Sequence, residues 1–473
     1  MMAPSTATVR AVEDLRGRRT VVLGLARSGV AACRFLADHG AVVAAYDRRS
    51  AAELADEVTA LGGRQVRLAL GVDEAAAVAL LGHADLLVTS PSISAHFTTT
   101  DRWLREALVA AEARGAEIVS EVELFLRLTR ARILGITGTK GKTTTASLVA
   151  AMLDSGGVAN VLGGNIGTPL VERALELGAH EWAVLELSEL QLPTIGRGAD
   201  VAVYTNIGED HLDRHGTAEA YRAVKARLAE LTAPSGRVVL NHDDPGCREL
   251  GDRLPPASLA WYGRQRPGRG PLEAWIDDDW VTVAGERVVP IRDVPLPGRH
   301  MQLNVVAAAL AASLVGIEPA AIAAAVRSFA GVAHRLELVA ERGGVRWVND
   351  SQATIPVAAS AALEAFDAPI VLITGGKDKG LDYEGFADAI ASRARAAVLI
   401  GETADELERL LGARVPVHRA RSMEGAVATA DHLAAPGDVV LLAPAAASFD
   451  MFVDYAARGD AFRAAVAGLG SDA

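Results

Sequence analysis

Short apolar runs recur along the chain, each closed by a Gly-, Pro- or polar-rich turn and followed by a stretch with helical periodicity. The run TVVLGL at 20–25 leads into a Gly-containing turn, a helix pattern over Val30 to Asp38 and a second run, AVVAAYD. This order predicts a βαβ unit, because a strand covered on both faces reads as unbroken apolar sequence. ADLLVTS, which ends at Ser90-Pro91-Ser92, and AEIVSEVELFLRL, a strand and then a helix, extend it into a first α/β domain. RILGIT at 132–137 opens a second unit, with strands predicted at WAVLEL (182–187), VAVYTNI (201–207) and GRVVLN (236–241). Around 262–300 the helical pattern lapses: GRQRPGRGP reads as a loop and AWIDDDWVTVAGERVVPI as a hairpin. Helical stretches follow from Asn304 to Val315 and from Pro319 to Phe329. A third unit begins near Gly331, where VRWVND (345–350), PIVLITGG (369–376), AAVLIG (396–401) and DVVLLAP (438–444) alternate with helical segments. The prediction is an α/β chain of three domains with mainly parallel sheets, divided as residues 1–120, 121–331 and 332–473.

Composition narrows this picture in three ways. A length of 473 residues exceeds one ordinary core, which agrees with three domains. A net charge of −12 argues against a nucleic-acid partner, although a few local donors suffice for a nucleotide. Two cysteines, Cys33 and Cys247, make no disulfide framework, and neither a signal-peptide h-region nor a membrane-length apolar run is evident. A cytoplasmic protein without membrane insertion is expected.

The strongest chemical signal is ILGITGTKGKTTTASLVAAML. A strand passes into a Gly/Thr/Lys loop and then a helix, so backbone N–H groups and a helix N-terminus converge on one point suited to phosphate. Lys142 would reach the terminal phosphates and Thr143 would place a hydroxyl on Mg²⁺. Five residues, rather than four, separate Gly135 from Gly141-Lys142, so the loop is a variant of the usual spacing. The alternative is a plain strand–helix turn.

Other candidates are weaker alone. Gly24 to Gly29, with Asp47 downstream, resembles a dinucleotide fingerprint, but Ala26 replaces the middle glycine. NAD, another nucleotide and an ordinary βα turn all remain open there. Glu186 and His211 follow predicted strands, on the sheet edge where ligands bind in open α/β folds, and could hold Mg²⁺. His211 and His215 have zinc-like spacing without a third ligand. Lys225 lies on a helix pattern, where a solvated face is the ordinary reading. Polar groups at four strand ends of the third unit, around His334-Arg335, Asn349-Asp350-Ser351, 375–380 and Ser448, suggest a second cleft.

Together the segments resemble the Mur ligases: GLARSG, SPSIS, GTKGKTTT, GGNIG, ELSELQL, EDHLDRH, YRAVKARL, the His and Asn of GRHMQLN, HRLEL, NDSQAT, GGKDKG and SFDMFVDYAARGDAF occur in one order. The resemblance implies a Rossmann-like N-terminal domain for a UDP moiety, a central P-loop ATPase domain and a Rossmann-like C-terminal domain for the incoming amino acid. It implies ATP-dependent addition of D-glutamate to UDP-N-acetylmuramoyl-L-alanine through an acyl phosphate, releasing ADP and phosphate, in peptidoglycan precursor synthesis. Addition of L-glutamate to the same substrate is the alternative. By matching positions, Ser28, Asp47, Arg48, Ser90, Asn165 and His211 would hold the UDP substrate. Gly138, Thr139, Lys140, Gly141, Lys142, Thr143 and Thr144, with Asn304, Arg335 and Asp350, would hold ATP. Thr143 and Glu186 would take a first Mg²⁺ and His211 a second. Lys225 matches a lysine that the family carbamylates, which would add an anionic metal-side group. Lys142, Glu186, His211 and Lys225 would carry the catalysis, and Thr354, Lys379, Ser448 and Tyr455 would surround glutamate.

Five departures stand out: Gln352 replaces a lysine, Ile355-Pro356 an asparagine, Ala443 a serine, Met301 an asparagine and Glu189 a serine. The changes at 352–356 fall at the amino-acid site, so the enantiomer stays open. Two other classes compete. A nicotinamide oxidoreductase would use the 24–29 turn and leave the 138–144 loop unexplained. A non-catalytic nucleotide-binding protein would not need Lys142, Glu186, His211 and Lys225 together.

Overall fold

A computed structural model describes residues 8–97, 99–208, 217–232, 235–295, 299–329, 331–378 and 380–469. Three sheets are present, one for each predicted domain.

The first holds β1 (Arg19–Leu23), β2 (Val42–Asp47), β3 (Val66–Leu70), β4 (Leu86–Thr89) and β5 (Glu117–Ser120), all parallel, in the order β3-β2-β1-β4-β5. The strand order reverses between β1 and β4, which leaves a crevice at their carboxyl ends. Helix Arg27–Asp38 buries Val30, Ala31, Cys33, Phe35 and Leu36, as its periodicity requires. β3 was not anticipated: VRLAL is an edge strand with no buried position, so it shows no apolar run.

The second sheet holds β6 (Arg132–Thr137), β7 (Asn160–Gly164), β8 (Trp182–Glu186), β9 (Val201–Tyr204), β10 (Arg237–Asn241), β11 (Leu259–Tyr262), β12 (Glu273–Asp277), β13 (Trp280–Val283) and β14 (Glu286–Pro290). Its order is β14-β13-β12-β11-β10-β9-β6-β8-β7, antiparallel only from β12 to β14. The hairpin expected over these last strands is a three-stranded meander. It reverses at Asp278-Asp279 (φ 46° and 61°) and Ala284-Gly285 (φ 51° and 88°), two-residue turns whose positive φ suits the strand twist.

β6 is an interior strand between β9 and β8, with Ile133, Leu134 and Ile136 buried. Helix Lys142–Ser155 follows it directly, and helix Ala218–Leu231 brings Leu228 to 3.3 Å from where a Gly135 side chain would begin. Tyr204, fully buried on β9, ties that second helix down: its hydroxyl donates to Lys225 O at 2.8 Å and accepts from Ala229 N at 2.9 Å.

Helix Glu121–Leu128 connects the two sheets and is capped by Ser120 Oγ, which accepts from Glu123 N at 3.1 Å. The buried Glu121 carboxylate accepts Val171 N at 2.8 Å, and Glu123 accepts Gly196 N at 2.7 Å. Burial pushes the Glu121 carboxyl up to about 7, against the pull of the Val171 and Leu170 backbone N–H groups. The residues up to Val294, with Leu303–Arg327, form one compact unit.

The second unit, Pro295–Gln302 with the chain from Ser328 onward, contains β15 (Glu337–Arg342), β16 (Val345–Asn349), β17 (Ile370–Gly375), β18 (Ala394–Ile400), β19 (Val417–Arg419) and β20 (Val439–Leu442). The order is β15-β16-β20-β17-β18-β19, with β15 antiparallel and the rest parallel. Among the described residues no helix is long and apolar enough to cross a membrane.

Candidate active site

β6 ends in a loop that only glycine can build at two places. Gly138 has φ 150° and Gly141 φ 85°; a Cβ would stand 1.9 Å from Thr205 Oγ1 at the first and 2.6 Å from Asn304 Oδ1 at the second. Asn206 Oδ1 accepts the N–H groups of Thr139 (3.1 Å) and Lys140 (2.9 Å), while Thr205 Oγ1 donates to Lys140 O at 2.5 Å. Gly141 is the N-cap of helix Lys142–Ser155 and supplies no side-chain cap, so the positive helix end faces the loop's concavity. Lys142 curls over the loop, donating from Nζ to Gly138 O (2.9 Å) and Thr139 O (3.0 Å). The predicted loop residues 138–144 and Asn304 are thus together.

A relay of side chains extends from the loop. Thr143 Oγ1 donates to Glu186 Oε2 at 2.7 Å, and Asn165 Nδ2 donates to Glu186 Oε1 at 3.0 Å. Parallel pairing sets this up: β8 lies between β6 and β7, which brings Ile136 and Gly164 opposite Glu186. Asn165, expected on the UDP substrate by resemblance, is therefore one carboxylate away from the phosphate loop. Lys225, expected on a solvated face from pattern alone, is fully buried; Nζ donates to Gly138 O at 3.0 Å and Thr137 Oγ1 at 3.3 Å. Glu189 Oε2 stands 3.8 Å from it.

His211 and His215 lie outside the described residues. Among the described residues no three His, Cys, Asp or Glu side chains cluster as a metal centre. The Thr143 hydroxyl and Glu186 carboxylate are hard oxygen donors at hydrogen-bond distance, a set that suits Mg²⁺ when phosphate oxygens and water complete its shell.

At the N-terminal crevice, Asp47 closes β2 and accepts Leu25 N at 2.9 Å, fixing the 24–29 turn. Arg49, rather than Arg48, grips Asp47, with contacts of 3.1 Å from Nε and 2.9 Å from a terminal nitrogen; Arg48 is exposed. Burial pushes the Asp47 carboxyl up, but Arg49 and the N–H groups of Arg49 and Leu25 outweigh it and hold it below its ordinary range. Ser28 sits in the first turn of helix Arg27–Asp38, and Ser90 follows β4 with Oγ 3.4 Å from Ser92 Oγ.

In the second unit, Arg335 lies between two left-handed residues, His334 (φ 62°) and Leu336 (φ 42°). Asp350 Oδ1 accepts Leu336 N at 3.0 Å; burial raises its carboxyl to about 6, with Leu336 N and Arg335 pulling the other way. Ser351 Oγ donates to Tyr455 O at 2.7 Å, and Gln352 Nε2 reaches the Tyr455 hydroxyl at 3.5 Å. Thr354 N donates to Gln352 O at 2.9 Å. Buried Ser448 follows β20 and accepts the N–H groups of Met451 (3.0 Å) and Phe452 (2.8 Å) on its carbonyl. Lys379 lies outside the described residues, and Lys377 is paired with Glu402 at 2.6 Å.

Three contributors escaped the sequence reading. Asn206 and Arg49 are two. The third is Arg458, 1% exposed, which donates to Ser351 Oγ and Ser351 O at 3.0 Å and to Ala446 O and Ala447 O at 3.1 Å. It ties the segment after β16 to the segment after β20. The available signal was its place in the ARGDAF helix, which periodicity alone does not distinguish from packing.

Comparison with known proteins gives three family matches. Residues 18–120 match the Mur ligase MurD-like N-terminal domain, 136–312 the Mur ligase middle domain and 334–446 the Mur ligase glutamate ligase domain. A UDP-N-acetylmuramoylalanine--D-glutamate ligase of Solibacter usitatus is 40% identical over 96% of this chain and 99% of its own. Its namesake from Caldanaerobacter subterraneus subsp. tengcongensis is 39% identical, over 96% and 99%. Among solved structures, the UDP-N-acetylmuramate-alanine ligase of Thermotoga maritima shares the fold at 18% identity and a TM-score of 0.58, covering 94% of this chain and 98% of that one.

Proposed function

The chain belongs to the Mur ligase family, and we propose from that premise that it joins D-glutamate to UDP-N-acetylmuramoyl-L-alanine at the expense of ATP, in peptidoglycan precursor synthesis. A carboxylate and an amine do not condense at neutral pH, so the alanyl carboxylate is activated first. One of its oxygens attacks the γ-phosphorus of ATP, giving an acyl phosphate and ADP. The glutamate amine then adds to the acyl carbon, and the tetrahedral intermediate expels phosphate as the amide forms.

The observation that carries this reading is the relay Asn165–Glu186–Thr143, which links a UDP-substrate position to the phosphate loop through one buried carboxylate. Lys142 offsets the charge that builds when two anions meet, and the loop N–H groups orient the phosphates. Thr143 and Glu186 would hold Mg²⁺, with His211 at a second ion; bound Mg²⁺ supplies further charge neutralisation. Ser28, Asp47, Arg48, Ser90 and Asn165 hold the UDP substrate, and we add Arg49 on the strength of its grip on Asp47. By their match to family positions, Asn304, Arg335 and Asp350 would each contact the nucleotide, and Thr354, Lys379, Ser448 and Tyr455 would contact glutamate. The domains divide at about residues 120 and 331, and the enzyme works as a cytoplasmic monomer.

The test is phosphate release with UDP-N-acetylmuramoyl-L-alanine, ATP, Mg²⁺ and each glutamate enantiomer. The expected result is turnover with the D-form. A preference for the L-form would reassign the amino acid, and no turnover with either would end the proposal.

A further inference from the structure

Gln352 touches two of the residues expected around glutamate. Its carbonyl oxygen accepts Thr354 N at 2.9 Å, and its side-chain Nε2 donates to the Tyr455 hydroxyl at 3.5 Å. Its own N–H donates to His334 O at 3.0 Å, so the Gln352 backbone is held on both sides. Tyr455 is anchored as well. It opens helix Tyr455–Gly468, which Asp454 caps by accepting Ala457 N at 2.7 Å, and Ser351 Oγ donates to Tyr455 O at 2.7 Å. Arg458, one turn further along, donates to Ser351 Oγ and Ser351 O at 3.0 Å and ties the same turn to Ser351 again. The Tyr455 ring meets the His334 ring edge-on, with centroids 6.2 Å apart. Main chain and ring are therefore fixed, and the contact at the hydroxyl end is Gln352. Gln352, Thr354 and Tyr455 are all half-buried, which leaves them open to a ligand.

We propose that Gln352 is a positioning residue of the amino-acid site: its carboxamide N–H, placed on the Tyr455 oxygen, turns the phenol proton outward as a donor to a glutamate carboxylate. A phenol carries one proton and accepts through its oxygen lone pairs. With the Gln352 N–H on that oxygen, the proton is not spent inside the protein and stays available to an anion. A hydroxyl that accepts one hydrogen bond is polarised and donates the next more strongly. An ionised carboxylate only accepts, so this polarity is the one glutamate requires. A carboxylate at position 352 would do the reverse, taking the phenol proton and leaving lone pairs toward the substrate. The bond to Thr354 comes from the Gln352 main chain and survives any change of its side chain. Side-chain substitutions at 352 therefore report on the Tyr455 hydroxyl.

The inference rests on the ligase reading and deepens it at the amino-acid site. The test measures kcat, KM for glutamate and KM for ATP in the full chain, with whichever glutamate enantiomer it turns over, beside a thermal melt. Gln352→Met keeps the side chain's length and removes its donor. It is expected to raise KM for glutamate by about fivefold, the worth of one neutral hydrogen bond, with kcat, KM for ATP and Tm nearly unchanged. Tyr455→Phe is expected to do the same. The double variant should stay near fivefold, because the amide acts through the hydroxyl that the second change removes. Gln352→Glu should raise KM for glutamate further than Gln352→Met does. A rise of about 25-fold in the double variant, the product of two independent losses, would overturn the inference. So would an unchanged KM for glutamate in Gln352→Met, an equal rise in KM for ATP, or a Gln352→Glu no worse than Gln352→Met. Any of these in an active parent ends this inference alone, whereas a parent without turnover on either enantiomer ends the ligase reading and the inference with it.

Discussion

Replacing Glu186 with glutamine removes a charge while keeping the shape of the relay at the phosphate loop. Glu186 is 2% exposed, and its two oxygens take different donors: Thr143 Oγ1 at 2.7 Å and Asn165 Nδ2 at 3.0 Å. A glutamine offers one acceptor and one donor. Turned with its oxygen toward Asn165, it meets the Thr143 hydroxyl with an N–H, and that hydroxyl can rotate to accept. The fold therefore trades two charge-assisted hydrogen bonds for two neutral ones, a loss of about 1–2 kcal/mol, and Tm should fall by only a few degrees. The chemical step suffers more. The rotated hydroxyl spends one of its two lone pairs on the glutamine and has one fewer for the nucleotide side, and the anion that would share Mg²⁺ is gone. Losing one such preorganised electrostatic contact costs about 3 kcal/mol, or roughly 10²-fold in turnover. Steady-state ADP formation at saturating substrates, read beside a thermal melt, separates the two effects. Turnover within about threefold of the parent would refute the reasoning, and a collapsed melt would recast Glu186 as a structural residue.

Three further substitutions probe other parts of the account. Gly141→Ala puts a Cβ 2.6 Å from Asn304 Oδ1 on a left-handed residue (φ 85°), so ATP affinity should fall by about tenfold, for a strain of about 1–2 kcal/mol; unchanged nucleotide binding by calorimetry would count against the loop assignment. Tyr455→Phe removes the hydroxyl facing Gln352 and should raise KM for glutamate by about fivefold, one neutral hydrogen bond's worth, while KM for ATP stays put; equal effects on both would contradict the glutamate assignment. Glu121 tests linkage. Its carboxyl is raised from 4.5 to about 7, so ionisation opposes folding: the penalty is full above pH 7, shrinks as pH falls through that value and is gone below 4.5. Glu121→Gln should raise denaturant resistance at pH 8 by up to about 3 kcal/mol and change little near pH 4, and destabilisation at pH 8 would reverse the assignment.

The parts of this fold that were legible in the sequence are those where burial on both faces leaves no alternative to an apolar run. RILGIT predicted β6 to the residue, and its abrupt change to Gly, Thr and Lys marked the loop. Edge and half-exposed strands gave no such signal: β3, β15 and β19 have no fully buried position, and β7 carries two glycines. The three-stranded meander was read as a hairpin because Ala284-Gly285 is a weaker turn signal than Asn-Gly or Asp-Gly. Site residues divided in the same way. Lys142 and Thr143 follow from local spacing, whereas the burial of Lys225 depends on where helix Ala218–Leu231 packs, which no local pattern states. Arg48 and Arg49 are adjacent in sequence, and only the backbone direction after β2 decides which guanidinium turns back to Asp47.

The central claim is that the alanyl carboxylate is activated by phosphoryl transfer, and oxygen transfer tests it most directly. UDP-N-acetylmuramoyl-L-alanine labelled with ¹⁸O in both carboxylate oxygens is converted with unlabelled ATP and D-glutamate, and the released phosphate is analysed by mass spectrometry. An acyl phosphate carries one carboxylate oxygen away on phosphorus, so the account predicts one ¹⁸O in the phosphate for each amide formed. Phosphate without label, alongside labelled amide product, would contradict it.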